Sequence, residues 1–293
     1  MVWKQTWPVI KHRVLAIFRA SLEEGTLPDQ WQHAKMGKIL ESVVAERISH
    51  MVETYGLLPT NHFGACKQWS AEQALLLLQE QVYTAWQGRK IMSLISFDVK
   101  GAYNGVCKER LLQRMQAWGI PEELRRWVDA FCSEHTATIQ VNRQSSETRN
   151  LPQAGLPQGS PLSPILFLFF NADLVQQCID SHRGAVAFSD DFTAWVTGPT
   201  AQSNHEGIET IINNALDWER RSGATFEAEK TAIIHFTCKP YKTNLEPFTI
   251  KGQTVQPKDH VKILGVVMDA KLKYKEHIAR AASKGLEAAM ELR

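Results

Sequence analysis

Apolar residues recur at helical spacing through the first third of the chain and at strand spacing beyond it. Val9–Glu24 has the first helical period, and Gly25-Thr26-Leu27-Pro28 predicts its end. A second helix is predicted over Lys38–Thr54, with Ile39, Leu40, Val43, Val44, Ile48 and Met51 as its apolar positions and Gly56 as its stop. A third, Ala71–Trp86, stacks Ala74, Leu75, Leu77, Leu78, Val82 and Trp86 on one side. Ile91–Phe97 then reads as a short buried strand closed by Asp98. Helices over Lys108–Trp118 and Glu122–Cys132 follow, divided by Gly119-Ile120-Pro121. Thr136–Val141 alternates like a strand and predicts a hairpin with Ser146–Leu151. After a helix over Ser163–Ile179, Ala185–Phe188 and Phe192–Val196 flank Ser189-Asp190-Asp191 as a tight hairpin. Helix Gly207–Arg221 and strand Ala232–Phe236 complete the pattern. Strand, helix, hairpin, helix and strand in that order predict an α+β fold, an antiparallel sheet with helices on one face.

Composition changes this picture little. Hydrophobic residues are 44% and charged residues 22%, as in ordinary globular proteins. The longest apolar run, Ile165–Phe170, falls far short of the ~20 residues of a membrane helix, so no membrane partner is expected. The N-terminus lacks the continuous apolar stretch of a secretory signal. A net charge of +2 does not by itself mark a nucleic-acid binder. Lys258, Lys262, Lys271, Lys273, Lys275, Arg280, Lys284 and Arg293 concentrate near the C-terminus, where a phosphate-facing region and a solvated face explain them equally. Five scattered cysteines with no C-x-x-C pair predict neither a disulfide framework nor a zinc site. No repeat, low-complexity tract or linker divides the chain.

Three carboxylates carry candidate chemistry. Asp98 closes an apolar strand, and a turn-capping role would account for it alone. Asp190 and Asp191 are harder to explain, since hairpin turns favour Asn-Gly or Asp-Gly and two adjacent acids repel each other. A divalent cation relieves that repulsion, and hard carboxylate oxygens are what Mg²⁺ prefers. If the Asp98 strand neighbours the hairpin, the three acids can hold two ions for in-line displacement at a phosphate. The second signal is Leu156-Pro157-Gln158-Gly159-Ser160-Pro161-Leu162-Ser163-Pro164, where Gly159 permits close backbone approach and Ser160 or Ser163 can cap the next helix.

In these residues the chain resembles the reverse transcriptases of non-LTR (LINE-type) retrotransposons. Phe97-Asp98-Val99-Lys100-Gly101-Ala102-Tyr103 is similar to their motif A, and Gly155–Ser160 with Leu162-Ser163-Pro164 to motif B. Phe188-Ser189-Asp190-Asp191 is a variant of motif C, and Gly223-Ala224-Thr225-Phe226 leading to Lys230-Thr231 resembles motif D. Ile263-Leu264-Gly265-Val266 resembles the motif E primer grip, with His277-Ile278 following. One such motif is weak, but five in order are specific. The wording of Leu57–Ala65 and Asp191–Trp195 is most similar to fungal elements.

The resemblance implies a right-hand polymerase palm with partial helical fingers and the thumb absent. Its domains would be a helical segment over 1–35, fingers over 36–90, a palm over 91–267 and the start of a thumb over 268–293. It implies RNA-directed DNA polymerisation with Mg²⁺ (or Mn²⁺), dNTPs, an RNA template and a DNA primer. Asp98, Asp190 and Asp191 would hold metal, and Lys230 would protonate or stabilise departing pyrophosphate. Tyr103 would exclude a ribose 2′-OH, while Gln158, Gly159 and Ser160 would contact the templating pair. Leu264 and Gly265 would grip the primer. Action in nucleus or cytoplasm is implied, and no basic import run decides between them.

The chain departs from the family pattern in two ways. Gln32-His33-Ala34-Lys35 runs straight into Met36-Gly37-Lys38-Ile39-Leu40-Glu41, omitting a basic fingers segment that holds the incoming triphosphate. Cys66 and Trp69 stand where the family places arginines, and Trp118, His135 and Arg143 are also unusual. A truncated, degenerate and poorly active copy is therefore expected. Three other readings fit the same residues: an RNA-templated RNA polymerase, which Tyr103 opposes, a non-catalytic binding remnant, and a coding sequence with a spurious intron.

Overall fold

The computed structural model describes residues 2–26, 35–64, 69–133, 136–138, 140–141, 144–151, 154–176, 179–239 and 246–291. Its first elements are helices α1 (Val2–Glu24), α2 (Lys35–Tyr55) and α3 (Ala71–Gln87), strand β1 (Ile91–Asp98), and helices α4 (Lys108–Ala117) and α5 (Glu122–Phe131). Four two-residue strands follow, β2 (Thr136–Ala137), β3 (Gln140–Val141), β4 (Gln144–Ser145) and β5 (Arg149–Asn150). Then come α6 (Ser163–Val175), β6 (Arg183–Phe188), β7 (Asp191–Gly198), α7 (His205–Ser222) and β8 (Ala232–Phe236). The chain continues through β9 (Phe248–Ile250), β10 (Gln253–Val255), β11 (His260–Ile263), β12 (Val266–Asp269) and α8 (Lys275–Glu291).

Two compact units divide these elements: Met1–Leu58 with Gly101–Phe170, and Pro59–Lys100 with Asn171–Arg293. The first is mainly helical. In α2, Leu40, Val44, Ile48 and Val52 bury one stripe at a spacing of four, as the apolar period predicts. Trp127 and Phe131 of α5 stack with centroids 5.8 Å apart, and the Trp127 indole donates to Ser21 Oγ of α1. Gly25 (φ 67) ends α1 in the left-handed conformation, where the predicted stop begins. The hairpin expected over Thr136–Leu151 forms in two pieces, β2 with β5 and β3 with β4. A contact between the Thr138 and Thr148 hydroxyls spans the interruption.

The second unit is built on an antiparallel sheet of order β6-β7-β1-β8. Its register, Leu94 opposite Trp195 and Ile234, fixes the two faces. Met92, Leu94, Trp195, Ile234 and Phe236 share one core with Ala74, Leu78 and Val82 of α3 and with Val261, Ile263 and Met268 of the β11–β12 hairpin. On the other face Phe97 lies against Phe192 and Phe226, and Phe226 meets Trp218 of α7. Helix packing by α7 is thus the expected arrangement, and α3 adds a helix to the opposite face. A buried polar group holds the start of α7: Asn204 donates to Ser93 Oγ, which also pairs with His235 Nδ1, each at 2.8 Å. Helix α6 ends at Val175, four residues before the predicted end. The Asn61 amide there donates to the Val175 carbonyl at 2.7 Å and satisfies a helix-end acceptor. No helix of the described residues is long and apolar enough to cross a membrane.

Candidate active site

Asp98 is the last residue of β1, and its cross-strand partner is Asp191, the first residue of β7. The two carboxylate-bearing positions are neighbours because β1 lies beside β7 in the sheet and runs antiparallel to it. The β6–β7 turn is tighter than the sequence pattern implies: Phe188 pairs with Asp191, leaving only Ser189 and Asp190 as loop. Asp190 therefore occupies the tip, whereas Asp191 belongs to the strand. Ser189 adopts φ 57, a left-handed conformation that hairpin turns usually give to Gly or Asn.

The electrostatics follow from this crowding. Burial, then repulsion from Asp190 and Asp98, pushes the Asp191 carboxyl up to about 6, partly offset by Lys262 on β11. Such a group favours a nearby cation, and three Asp side chains supply the hard oxygen donors that suit Mg²⁺ or Mn²⁺. Among the described residues no group of three or more His, Cys, Asp or Glu side chains is placed so that it could hold a metal ion. The donor chemistry suits a divalent ion, but the carboxylates are not brought together around one point.

Lys230 stands on these acids. Its ammonium lies 2.8 Å from Glu227 Oε2 and 3.0 Å from Asp98 Oδ2, and those two contacts raise its pKa. Backbone pairing places it there: the Glu227 N–H donates to the Asp98 carbonyl, and the Lys100 N–H to that of Thr225. Gly223 (φ 78) turns the chain back at the end of α7 to start this segment. Held between two carboxylates, Lys230 is a fixed positive charge; giving up its proton requires release from both.

The remaining predicted residues fall into two groups. Leu264 (φ 47) and Gly265 (φ 87) form the two-residue turn between β11 and β12, in the unit that holds the acids. Leu264 is half-buried against the sheet core, which keeps it in a conformation unfavourable for a branched side chain. Tyr103, Gln158, Gly159 and Ser160 belong to the other unit. There the Leu156 N–H donates to the Tyr103 carbonyl at 2.8 Å, and a Cβ on Gly155 would stand 2.3 Å from that oxygen. The Tyr103 ring meets Phe167 edge-on at 5.5 Å. Gln158 and Gly159 are exposed, while Ser160 is buried and accepts from the Leu162 N–H.

Sequence reasoning passed over Glu227, Lys262 as a neighbour of Asp191, and the buried pair His62 and Asn171. A Glu three residues before Lys230 was the available signal for the first, and a lone Asn in the apolar helix Ile165–Val175 for the last. Trp69 packs edge-on against Phe63 at 4.6 Å while staying 47% exposed, so an aromatic contact occupies an expected arginine position. Cys66, Cys178, His135, Arg143 and Gln32–Ala34 lie outside the described residues.

The reverse transcriptase (RNA-dependent DNA polymerase) family profile matches residues 29–268. The chain is 22% identical over 293 residues to the RNA-directed DNA polymerase from mobile element jockey of Drosophila melanogaster, covering 89% of this chain and 31% of that protein. It is 26% identical over 221 residues to the Pol polyprotein from type-1 retrotransposable element R2 of Popillia japonica, covering 71% and 30%. The chain thus spans about a third or less of these relatives, and the fungal likeness draws no support from them. The telomerase of Candida tropicalis, solved with a fragment of telomeric RNA, shares the fold with a TM-score of 0.53 and 11% identity, over 80% of this chain and 37% of that one. With most of its length matched by that profile and its relatives drawn from mobile elements, the chain belongs to the reverse transcriptase family, of the non-LTR retrotransposon type.

Proposed function

We propose that this chain forms the palm, with part of the fingers, of a polymerase that adds dNTPs to a DNA primer on an RNA template. The observation that carries the proposal is the register placing Asp98 opposite Asp191, one residue from Asp190 at the turn. Asp98, Asp190 and Asp191 are the residues that would hold Mg²⁺ or Mn²⁺. When bound, such ions lower the pKa of an attacking hydroxyl and offset charge at the phosphate. Lys230 contributes positive charge beside Asp98, where departing pyrophosphate is neutralised. Tyr103 lies against the incoming sugar, and Gln158, Gly159 and Ser160 meet the templating pair. The Leu264-Gly265 turn bears on the primer. Phosphoryl transfer asks a protein mainly for position and charge, and these residues supply the metal ligands and part of that charge.

Two expected outcomes test these roles in a variant that extends a primer. Asp191→Asn and Asp98→Asn should each reduce metal-dependent incorporation to background, because neither amide supplies an anionic ligand. Incorporation at the parent rate would exclude a shared metal site. Tyr103→Ala should lower dNTP-over-rNTP selectivity by about tenfold or more, the scale of one steric contact. Unchanged selectivity in a competition assay would leave Tyr103 a packing residue.

A second reading, a non-catalytic remnant that binds nucleic acid or protein, draws on the omitted fingers segment. Backbone helix α2 starts at Lys35 and runs through the Lys35–Met36 junction without interruption.

A further inference from the structure

The Asp190–Asp191 turn rests on a buried polar chain that none of the roles above uses. Ser189, at φ 57, holds the left-handed conformation that a residue with a side chain resists. Its carbonyl accepts a hydrogen bond from Asn171 Nδ2 at 3.0 Å. Asn171 Oδ1 in turn lies 2.7 Å from His62 Nε2, and both side chains are almost wholly buried. Since Asn171 uses its amide hydrogens on Ser189, its oxygen faces the imidazole, and His62 Nε2 must be the donor. His62 is neutral in this setting, because burial lowers its pKa to about 4. Its Nδ1 has no hydrogen-bond partner among the described residues.

The direction of this chain matters. A flipped Asn171 amide would set its oxygen against the Ser189 carbonyl oxygen, so that acceptor fixes which way the amide points, and the amide in turn fixes the tautomer of His62. Backbone bonds hold His62 in place: the Phe63 N–H donates to the Ala187 carbonyl and the Ala187 N–H to the Asn61 carbonyl. From the other side, Gly64 approaches so closely that a Cβ would stand 2.3 Å from the Ser189 nitrogen. The stretch Asn61–Gly64 thus clamps β6 and its turn.

We propose that His62 and Asn171 are positioning residues for the metal-binding turn: the His62-to-Asn171-to-Ser189 hydrogen-bond chain holds Ser189 left-handed and so fixes where the Asp190 and Asp191 carboxylates project. The inference rests on the reading of those carboxylates as metal ligands. Removing outer-shell support for a ligand typically weakens metal binding by about 10- to 100-fold.

Mn²⁺ titration of the full 293-residue chain, followed by electron paramagnetic resonance, tests this without requiring polymerisation. Asn171→Leu should weaken Mn²⁺ binding about tenfold or more and speed amide exchange at Asp190 and Asp191. His62→Leu should act in the same direction, whereas His62→Gln, which can still donate to Asn171 Oδ1, should restore most of the loss. Ser189→Gly should make the Asn171 substitution less costly, because glycine reaches φ > 0 unaided. A folded Asn171→Leu protein with unchanged affinity and unchanged exchange at the turn overturns the proposal. Asp191→Asn separates the two ideas. If wild type and Asp191→Asn bind Mn²⁺ equally, the metal reading fails, and exchange at Asp190 and Asp191 alone decides the positioning role. Should Asn171→Leu not fold, the contrast between His62→Leu and His62→Gln decides: equal Mn²⁺ affinities and equal exchange overturn it.

Discussion

Primer–template should be bound weakly by this chain and extended barely above background, even though its acids are in register. In-line phosphoryl transfer needs the triphosphate held against the primer hydroxyl as well as the metal ligands. By resemblance, the residues that would hold it belong to a fingers segment expected between Lys35 and Met36. Displacing a reacting group by about 1 Å can cost on the order of 10²-fold, and loss of the clamp should cost at least as much. At position 69 an indole packs on Phe63, where a guanidinium would offer a planar fork of donors to phosphate. Inserting a relative's fingers segment between Lys35 and Met36, together with Cys66→Arg and Trp69→Arg, should raise incorporation by on the order of 10²-fold. Single-nucleotide extension of a labelled primer on both proteins measures this directly. Robust extension by the unaltered chain would show that the junction is harmless. No gain on repair, with nucleic-acid binding retained, would favour the non-catalytic reading.

The acids could be found in the sequence because each interrupts or ends an apolar strand, a break that packing alone does not explain. Strand pairing was the harder inference, yet short connections leave few ways to arrange strand, hairpin and strand in one sheet. Ala232–Phe236 was located to the residue, since both of its ends carry polar or turn-forming neighbours. The start of α1 was placed late, because Val2–Pro8 shows no clear apolar period. Asp191 was placed on the turn rather than in β7, because a two-residue loop with Ser at a left-handed position breaks the usual Asn-Gly rule. What lay beyond sequence reasoning were contacts between distant segments. Asn171 and His62 are 109 residues apart, and Lys230 and Asp98 are 132 apart, so neither pairing follows from local spacing. Glu227 stands in a segment read for its glycine and lysine, and its place beside Lys230 depends on how that segment pairs with the end of β1.

Lowering the pH should remove a contribution of His62 to stability, in a window where protonation of Asp191, raised to about 6, acts in the opposite direction. The ring is 2% exposed, and burial lowers its pKa from 6.5 to about 4, against a smaller raising effect of Asn171. In the unfolded chain the same imidazole titrates near 6.5. Between those values this residue binds more protons in the unfolded state, so its own contribution falls as pH falls. The contribution is complete above pH 6.5, declines through the window and is exhausted near pH 4. One pKa unit corresponds to about 1.4 kcal/mol, so the loss should reach about 2 kcal/mol by pH 5 and about 3 kcal/mol by pH 4. Against a total of roughly 5–15 kcal/mol for a natural domain, that is a large share. Because Asp191 takes up its proton more readily folded than unfolded between pH 7 and pH 5, the His62 effect is read as a difference between two proteins in urea unfolding over that window. His62→Gln removes the ionisable ring while keeping an amide donor toward Asn171, so the wild-type midpoint should fall relative to that of the variant. Parallel curves for the two proteins would mean that the imidazole gains solvent or a counter-ion before unfolding, and that the buried neutral ring does not set the acid limit. A wild-type loss of about 2 kcal/mol at pH 5 relative to His62→Gln would assign that limit to the residue beneath the carboxylate turn.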